Sequence, residues 1–213
     1  MAVALLALDT STPRAAVALS RADGSVLVAP PDPATRHGRG LVPSIRDLLA
    51  AAGLRVDELG GIAVGLGPGS YTGLRVGLMA AKTLAYASSL PLVGLDSLEL
   101  VARGADASAV AVSADAQRGD RHVAIFRRDG RGVFLREGPT RILSADEWDA
   151  ERGDLLVLDP AIHPPDGHAL AALARERFEA GDRLDPMLAE PIYVRRSAAE
   201  DQWTPRPRPN PAK

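Results

Sequence analysis

The stretch Gly65–Gly77, "GLGPGSYTGLRVG", joins a predicted buried strand to a predicted helix. Four glycines and one proline fall within its first nine residues, which is where nucleotide-binding proteins place a phosphate loop. However, no lysine follows the last glycine, as a Walker loop requires, and Ser70 replaces the third glycine of a Rossmann fingerprint. Two interpretations stay open: a tight turn in which glycine supplies positive φ, or an anion site at the helix start near Arg75.

The predicted helix, Tyr71–Ser88, carries a stripe of small residues that recur every fourth position on one face. Glycine inside a helix costs about 0.5–1 kcal/mol relative to alanine, so two glycines here indicate that another backbone approaches closely. The stripe fits equally well against the protein's own sheet or against a helix of a partner. We take the partner as the hypothesis and predict an interface of Tyr71, Gly73, Leu74, Gly77, Leu78, Ala81 and Ala85.

Strands and helices alternate on either side of this stretch. A helix that ends at Gly53 precedes strand Gly61–Leu66, and a strand at Pro91–Leu95 and a short helix capped by Ser97 follow it. The chain begins with three short strands, predicted over Val3–Leu8, Ala15–Ser20 and Ser25–Ala29. The order in the first half is therefore three strands, then helix, strand, helix, strand.

The second half of the chain repeats this pattern. Two apolar runs, "ALLALD" and "AVAVSAD", end at Asp9 and Asp115, and a strand and a hairpin follow each of them. The hairpin residues Asp23 and Asp129 lie 14 residues after Asp9 and Asp115 respectively. This equal spacing indicates a duplicated unit. We therefore predict two lobes, residues 1–102 and 103–196, and a Pro-rich tail, residues 197–213, that is disordered or draped over a partner.

The remainder of the second lobe has weaker signals. Ser144 and Glu147 form a capping-box pattern at the start of a helix. A strand over Leu155–Leu158, a helix near His168–Ala180 and an extended segment over Glu190–Arg195 complete the predicted elements.

The segment "LDTST" offers a second candidate site at the end of the first strand. A carboxylate followed by hydroxyl groups can hold a metal–phosphate, or it can satisfy the amides of its own turn. Because Asp115 repeats the position of Asp9, two such loops facing a cleft would form a phosphate clamp. The candidate phosphate-loop residues are Asp9, Thr10, Ser11, Thr12 and Asp115.

Composition narrows the classes of function. The formal charge of −2 argues against a general electrostatic affinity for nucleic acid or membranes, and no apolar run reaches the length of a membrane span. The absence of cysteine excludes disulfides and thiolate metal sites. The four histidines show no spacing typical of metal ligands, so no metal site and no catalytic residue is predicted. We expect a cytoplasmic protein.

Four segments taken together resemble the TsaB (YeaZ-like) family: "LLALDTST", "GIAVGLGPGSYTGLRVGLMAAKTLA", "PLVGLDSL" and "AEPIYVR". The resemblance is strong over residues 3–102 and weaker beyond. It implies an α/β, two-lobed actin-like (ribonuclease H-like) fold with duplicated mixed-sheet lobes. The site loops above would then be remnants of a nucleotide-binding ancestor.

The resemblance also implies a function and partners. Members of the family take part in the threonylcarbamoyl-adenosine modification of tRNAs that read codons beginning with A. They act as non-catalytic partners of the metal-binding transferase TsaD, which the ATPase TsaE joins. We accordingly expect a heterodimer with a TsaD-like protein, a homodimer when the chain is alone, contact with tRNA through the complex, and no cofactor, with ATP bound only at the assembled complex.

Two features bear on catalysis. The related transferase carries a metal-binding H-x-x-x-H where this chain has Ser97 and Val101, and neither side chain replaces imidazole at a metal. The second-lobe loop "DAQRGDRH" departs from the family's pattern at Gln117, Arg121 and His122, which puts any role of that loop in doubt. The alternatives are an actin-fold phosphotransferase of the sugar-kinase type, which Asp9 and Asp115 would favour, and a glycoprotease-like peptidase, which only an older family name suggests.

Overall fold

The structure, a computed structural model, describes residues 3–30 and 40–194 and contains two mixed sheets. The first has five strands in the order β3-β2-β1-β4-β5, in which β1 pairs antiparallel with β2 and parallel with β4. Its strands are β1 Leu5–Asp9, β2 Ala16–Ser20, β3 Val26–Val28, β4 Gly61–Gly65 and β5 Leu92–Leu95. The predicted tail, residues 197–213, and Arg195 lie outside the described residues.

The second sheet repeats the topology of the first. Its four strands run in the order β8-β7-β6-β9, with β6 antiparallel to β7 and parallel to β9. They are β6 Ala109–Asp115, β7 Asp120–Arg128, β8 Phe134–Ser144 and β9 Leu156–Leu158. Since β6 occupies the place of β1, the duplication predicted from Asp9 and Asp115 is confirmed at the level of the fold.

Five α-helices accompany these sheets in the described residues, together with a short 3-10 helix at Val56–Glu58. They are α1 Leu41–Ala52, α2 Tyr71–Ala87, α3 Ser97–Arg103, α4 Ala145–Glu151 and α5 Gly167–Glu179. No helix of residues 3–30 and 40–194 has the length and hydropathy that crossing a bilayer would demand.

Helices cover both faces of the first sheet, so its central strands are apolar on both sides. Leu6 and Leu8 of β1 point into a core shared with α1 and α2. Ala7, between them, points to the opposite face, where it packs with Leu170 and Leu173 of α5. This differs from the sequence analysis, which placed α5 in the second lobe. The helix returns to the first sheet because that face would otherwise expose apolar side chains to water.

The ends of the helices follow the local signals in most cases. Gly53 ends α1 with φ 67°, a left-handed conformation that glycine adopts without strain, and the capping box of Ser144 and Glu147 starts α4. The prediction that Ser97 caps α3 was wrong. Asp96 is the capping residue, and its side chain accepts hydrogen bonds from the amides of Leu98 and Glu99.

The segment before the end of the described chain is not a strand. Residues 190–194 of the predicted extended segment Glu190–Arg195 pair with no strand of either sheet, and the Ile192 amide donates a backbone hydrogen bond to Leu66 O at 2.8 Å.

Candidate functional site

The glycine stretch and the "LDTST" turn pack directly on each other. The Ser70 amide donates to Ser11 O at 2.7 Å, and the Thr10 hydroxyl donates to Gly73 O at 2.7 Å. A Cβ at Gly73 would overlap Thr10 O, and one at Gly77 would overlap Thr10 Oγ1. The glycines of α2 are therefore required by the chain's own first turn, which lies where their side chains would be.

This packing corrects the predicted partner interface. Gly73, Leu74, Gly77, Leu78, Ala81 and Ala85 are all buried within the chain, against the first sheet and the turn that follows β1. Of the seven residues assigned to a partner, only Tyr71 is exposed, at 46%. The alternative that the sequence left open, a stripe facing the protein's own sheet, is the one found. The inference that another backbone approaches the glycines of α2 closely was right, but that backbone is the turn after β1 of the same chain.

Asp9 lies fully buried between the same two loops. Its Oδ1 accepts hydrogen bonds from the Ser11 amide at 2.9 Å and from the Ser11 hydroxyl at 2.6 Å. Its Oδ2 accepts one from the Ser97 hydroxyl at 2.6 Å, and Ser97 Oγ in turn accepts from the Gly67 amide at 3.0 Å. A Cβ at Gly65 would overlap Asp9 Oδ2. Both carboxylate oxygens are thus occupied by donors from the chain, and water does not reach them.

Several amides of the glycine stretch are already engaged within the chain. In the glycine stretch, the amides of Gly67, Ser70 and Gly73 already donate to Ser97 Oγ, Ser11 O and Ser70 Oγ. The other predicted loop differs in exposure, because Asp115 is at the surface and accepts from the Gln117 amide at 2.8 Å. Asp9 and Asp115 therefore present one enclosed and one open carboxylate, and they do not form the matched pair that a phosphate clamp needs.

The divergent second-lobe loop serves its own lobe. Arg121, one of the departures from the family pattern, donates to Ser113 O at 2.7 Å and pairs with Asp159 at 2.8 Å. Gln117 and Arg118 have φ of 63° and 59°, so the loop turns sharply at exposed residues. In residues 3–30 and 40–194, no group of three or more His, Asp or Glu side chains gathers as metal ligands would.

Burial raises the pKa of the Asp9 carboxyl above its ordinary value of 3.8, although the hydrogen bonds from Ser11 and Ser97 oppose this. A raised pKa in the folded state means that Asp9 contributes stability that is fully present below 3.8 and lost as pH rises through the folded value. As the pH rises above 3.8 we therefore expect the melting temperature of the native chain to fall relative to that of Asp9→Asn.

Thermal melts of both proteins across this range measure the difference directly. Because every other titrating group is shared, a constant difference, or one of opposite slope, would show that Asp9 is not destabilised by its burial. Ser25→Ala is a suitable control, since it removes a hydrogen bond to the exposed carboxylate of Asp23. That bond lowers the pKa of Asp23, so the stability that it contributes is complete above pH 3.8 and is lost as the pH falls below this value. Ser25→Ala should therefore differ from the native chain by a constant amount above pH 3.8, where Asp9→Asn shows a changing difference, and should approach the native chain only in more acidic buffer.

A groove with a cavity volume of about 810 Å³ lies between α1 and α2, on the opposite side of α2 from the glycines. Its surface is mostly apolar and includes Val42, Tyr71 and Met79, whose exposed fractions are 66%, 46% and 63%. Large apolar side chains exposed together on neighbouring helices mark interaction sites more often than isolated ones do. This groove is therefore a candidate surface for a protein partner.

The aromatic end of the groove is organised by Arg75. Its guanidinium lies 4.0 Å from the ring centroid of Tyr71 and donates to the Tyr193 hydroxyl at 2.9 Å. The two tyrosine rings lie 5.2 Å apart between centroids. The C-terminal part of the described chain is thereby attached to the edge of α2.

A signal for this face was present in the sequence. Tyr71, Arg75, Met79 and Thr83 also recur every fourth residue, and they form a second stripe on α2. Exposed Tyr and Met within an otherwise polar face are the residue types enriched at interfaces. The prediction used the stripe of small residues and missed this second stripe.

Comparisons with known proteins show similarity to proteins of tRNA threonylcarbamoyladenosine biosynthesis. Residues 20–138 match the family model of TsaD, tRNA N6-adenosine threonylcarbamoyltransferase. The chain is 28% identical to the tRNA threonylcarbamoyladenosine biosynthesis protein TsaB of Escherichia coli, over 92% of this chain and 96% of that protein. It is 33% identical to an uncharacterized protein of Mycobacterium tuberculosis, over 92% and 93% of the two chains. Its fold superimposes on YeaZ from Pseudomonas aeruginosa with a TM-score of 0.77 and 27% identity, over 90% of this chain and all of that one.

Proposed function

The chain belongs to the TsaB (YeaZ-like) family and takes part in the threonylcarbamoyladenosine modification of tRNA, and from this premise we propose that it is a non-catalytic partner of a TsaD-type transferase. The observation that carries the proposal is the exposed apolar groove between α1 and α2. The partner contacts Val42, Tyr71, Arg75 and Met79 there, instead of the buried glycine stripe.

The enclosed carboxylate supports the absence of catalysis. Asp9 is the residue at which an actin-like phosphotransferase would need an accessible acid, and here its oxygens accept from Ser11 and Ser97. The two positions that correspond to the transferase's metal-binding histidines are Ser97 and Val101, which are 1% and 3% exposed. Val101 packs in the apolar core of the second lobe. These residues do not fit a metal ion, so no step of the reaction is assigned to this chain.

The burial of Asp9 between the two loops also bears on nucleotide binding. A nucleotide at this site would have to displace the hydrogen bonds between the "LDTST" turn and the glycine stretch. We propose that the chain binds no nucleotide by itself and that ATP is bound only in the assembled complex, where a TsaE-type ATPase joins. Contact with tRNA then occurs through the complex. Neither the sugar-kinase nor the peptidase alternative has an observation in its favour.

The face that receives the transferase is also available to a second copy of this chain when the transferase is absent. A two-fold dimer uses the same surface of both copies. Because the groove is apolar, the groove of one copy, with Met79 on its wall, can pack against that of the other. We propose that the protein is cytoplasmic, as the modification of tRNA requires.

The decisive experiment is a reconstitution. The purified chain alone should show no threonylcarbamoyl transfer, no kinase activity and no peptidase activity. Addition of purified TsaD-type and TsaE-type proteins should produce tRNA modification that depends on this chain. Turnover by the chain alone, retained after removal of contaminating enzymes, would overturn the proposal, and calorimetric titration with ATP tests the nucleotide statement separately.

A further inference from the structure

The exposed apolar side chains of the first lobe extend beyond the groove between α1 and α2. Eleven large apolar side chains are exposed in the described part of the chain, and eight of them lie on α1, on α2 or in residues 187–193. The other three are Leu135 and Leu156 of the second sheet and Ile162, which follows β9. Such a concentration on a few neighbouring elements marks an interaction surface, whereas scattered apolar residues do not.

Residues 187–193 run along one flank of α2. The amine of Lys82 donates to Met187 O at 3.2 Å. About two helical turns earlier, Arg75 donates to the Tyr193 hydroxyl at 2.9 Å. The segment therefore follows α2 in the direction opposite to that of the helix.

This flank of α2 faces away from α1. Ala80 lines the groove, and Lys82 comes two residues later, which is about 200° around the helix axis. Their side chains therefore point to nearly opposite sides. Between them, Met79 and Tyr86 are exposed on the same face, because they are seven residues apart. We call the groove, these two residues and segment 187–193 the extended face.

Met187 and Leu188 are held in place with their side chains outward. The Met187 amide donates to Asp185 Oδ1 at 2.8 Å, and the Leu188 amide donates to Asp185 O at 3.0 Å. The next residue, Ala189, is buried in the core of the first lobe. Met187 and Leu188 are nevertheless 69% and 77% exposed, more than any apolar residue of the groove. Side chains fixed in this way lose little conformational entropy when a partner binds.

The groove alone is small for a stable complex. Eleven residues line it, whereas a specific protein–protein interface commonly uses about 20–30 residues on each side. A partner seated there must therefore reach further, across α1 or across α2. The outer surface of α1 is polar, and Arg46 and Asp47 form an exposed ion pair there. The far flank of α2 instead presents Met187 and Leu188.

We propose that the TsaD-type partner covers the whole extended face and contacts Tyr86, Met187 and Leu188 as well as the groove. This inference rests on the proposed function, since the same partner occupies the groove. A helix with its side chains is about 10–12 Å across, so an element that only filled the groove would leave Leu188 in water. The partner therefore presents an apolar surface that spans α2 and has a second point of contact on its far flank.

Leu188→Asp tests the contact on the far flank. The substitution keeps the backbone bond to Asp185 O and alters a side chain that lies outside the core. We expect the affinity for a purified TsaD-type protein to fall about tenfold or more, because the interface would bury a carboxylate that has no partner. Leu135→Asp is the matched control, since Leu135 is an exposed leucine on β8 of the second sheet. Its affinity should stay within a few-fold of the native value.

Met79→Asp, measured in the same titrations, separates this inference from the proposed function. A loss of affinity in Met79→Asp with none in Leu188→Asp would overturn the inference and leave the partner in the groove. Native affinity in both variants would place the partner on another surface and overturn both proposals. Sedimentation of each variant alone covers a second copy as the occupant. If Leu188→Asp weakened only self-association, the inference would be wrong.

Hydrogen exchange of the native chain makes the same test without a substitution, in case Leu188→Asp alters its turn. When a TsaD-type protein binds, the amides of residues 187–193 should exchange more slowly, together with those of α1 and α2. Amides around Leu135 should be unaffected. Slower exchange in α2 with unchanged exchange in residues 187–193 would contradict the extended face.

Discussion

Gly77→Leu is expected to unfold the protein at a markedly lower temperature, and not merely to weaken its assembly. Gly77 is buried, and its Cβ would overlap Thr10 Oγ1 and approach Thr10 Cβ to 3.2 Å. Thr10 cannot rotate away without losing its buried hydrogen bond to Gly73 O. Overpacking of this kind costs about 3 kcal/mol. For a chain of this size that corresponds to a fall in melting temperature of roughly 6–12 °C.

Thr83→Leu is the matched control for this variant. It places the same side chain on the exposed face of α2 and should change stability by less than about 0.5 kcal/mol. Thermal and denaturant melts of the two variants give the comparison. If Gly77→Leu melted like the native chain and failed only in assembly, the small-residue stripe would face a partner after all.

Met79→Asp is expected to lower the affinity for a TsaD-type protein by about thirtyfold or more, which corresponds to about 2 kcal/mol. Met79 lies on the wall of the groove and is 63% exposed, so the substitution leaves the interior of the monomer unchanged. In the assembled state, however, a carboxylate would be transferred from water into an apolar contact without a partner. Titration calorimetry of each variant with the purified transferase measures the effect.

Ile162→Asp provides the control for charge, because Ile162 is similarly exposed, at 69%, but does not line the groove. Its affinity should stay within a few-fold of the native value. Full affinity in Met79→Asp would place the partner on another surface and would leave the enclosed Asp9 as the remaining support for a non-catalytic role. Because aspartate is a poorer helix former than methionine, the melting temperature of each variant should be recorded alongside.

Local chemistry accounts for what could be predicted along the chain. Gly53 acts through its own backbone conformation, and Ser144 and Glu147 act through side-chain hydrogen bonds to nearby amides. The C-terminal end of α1 and the start of α4 were therefore set by neighbouring residues. Apolar runs ending at Asp9 and Asp115 revealed the duplicated sheets, since the same pattern imposes the same strand order twice. Resemblance over the glycine stretch gave the family, which the comparisons confirm.

The sequence by itself determined which residues of α2 share a face, because helical periodicity is a property of the backbone. It did not determine what each face meets. The side that holds Gly73 and Gly77 turned inward because Thr10, which is 63 residues before Gly73, lies in the space that their side chains would fill. The enclosure of Asp9 likewise depends on Ser97, 88 residues away. Only tertiary contacts decided these outcomes, since a stripe of small residues permits close approach without specifying which chain approaches.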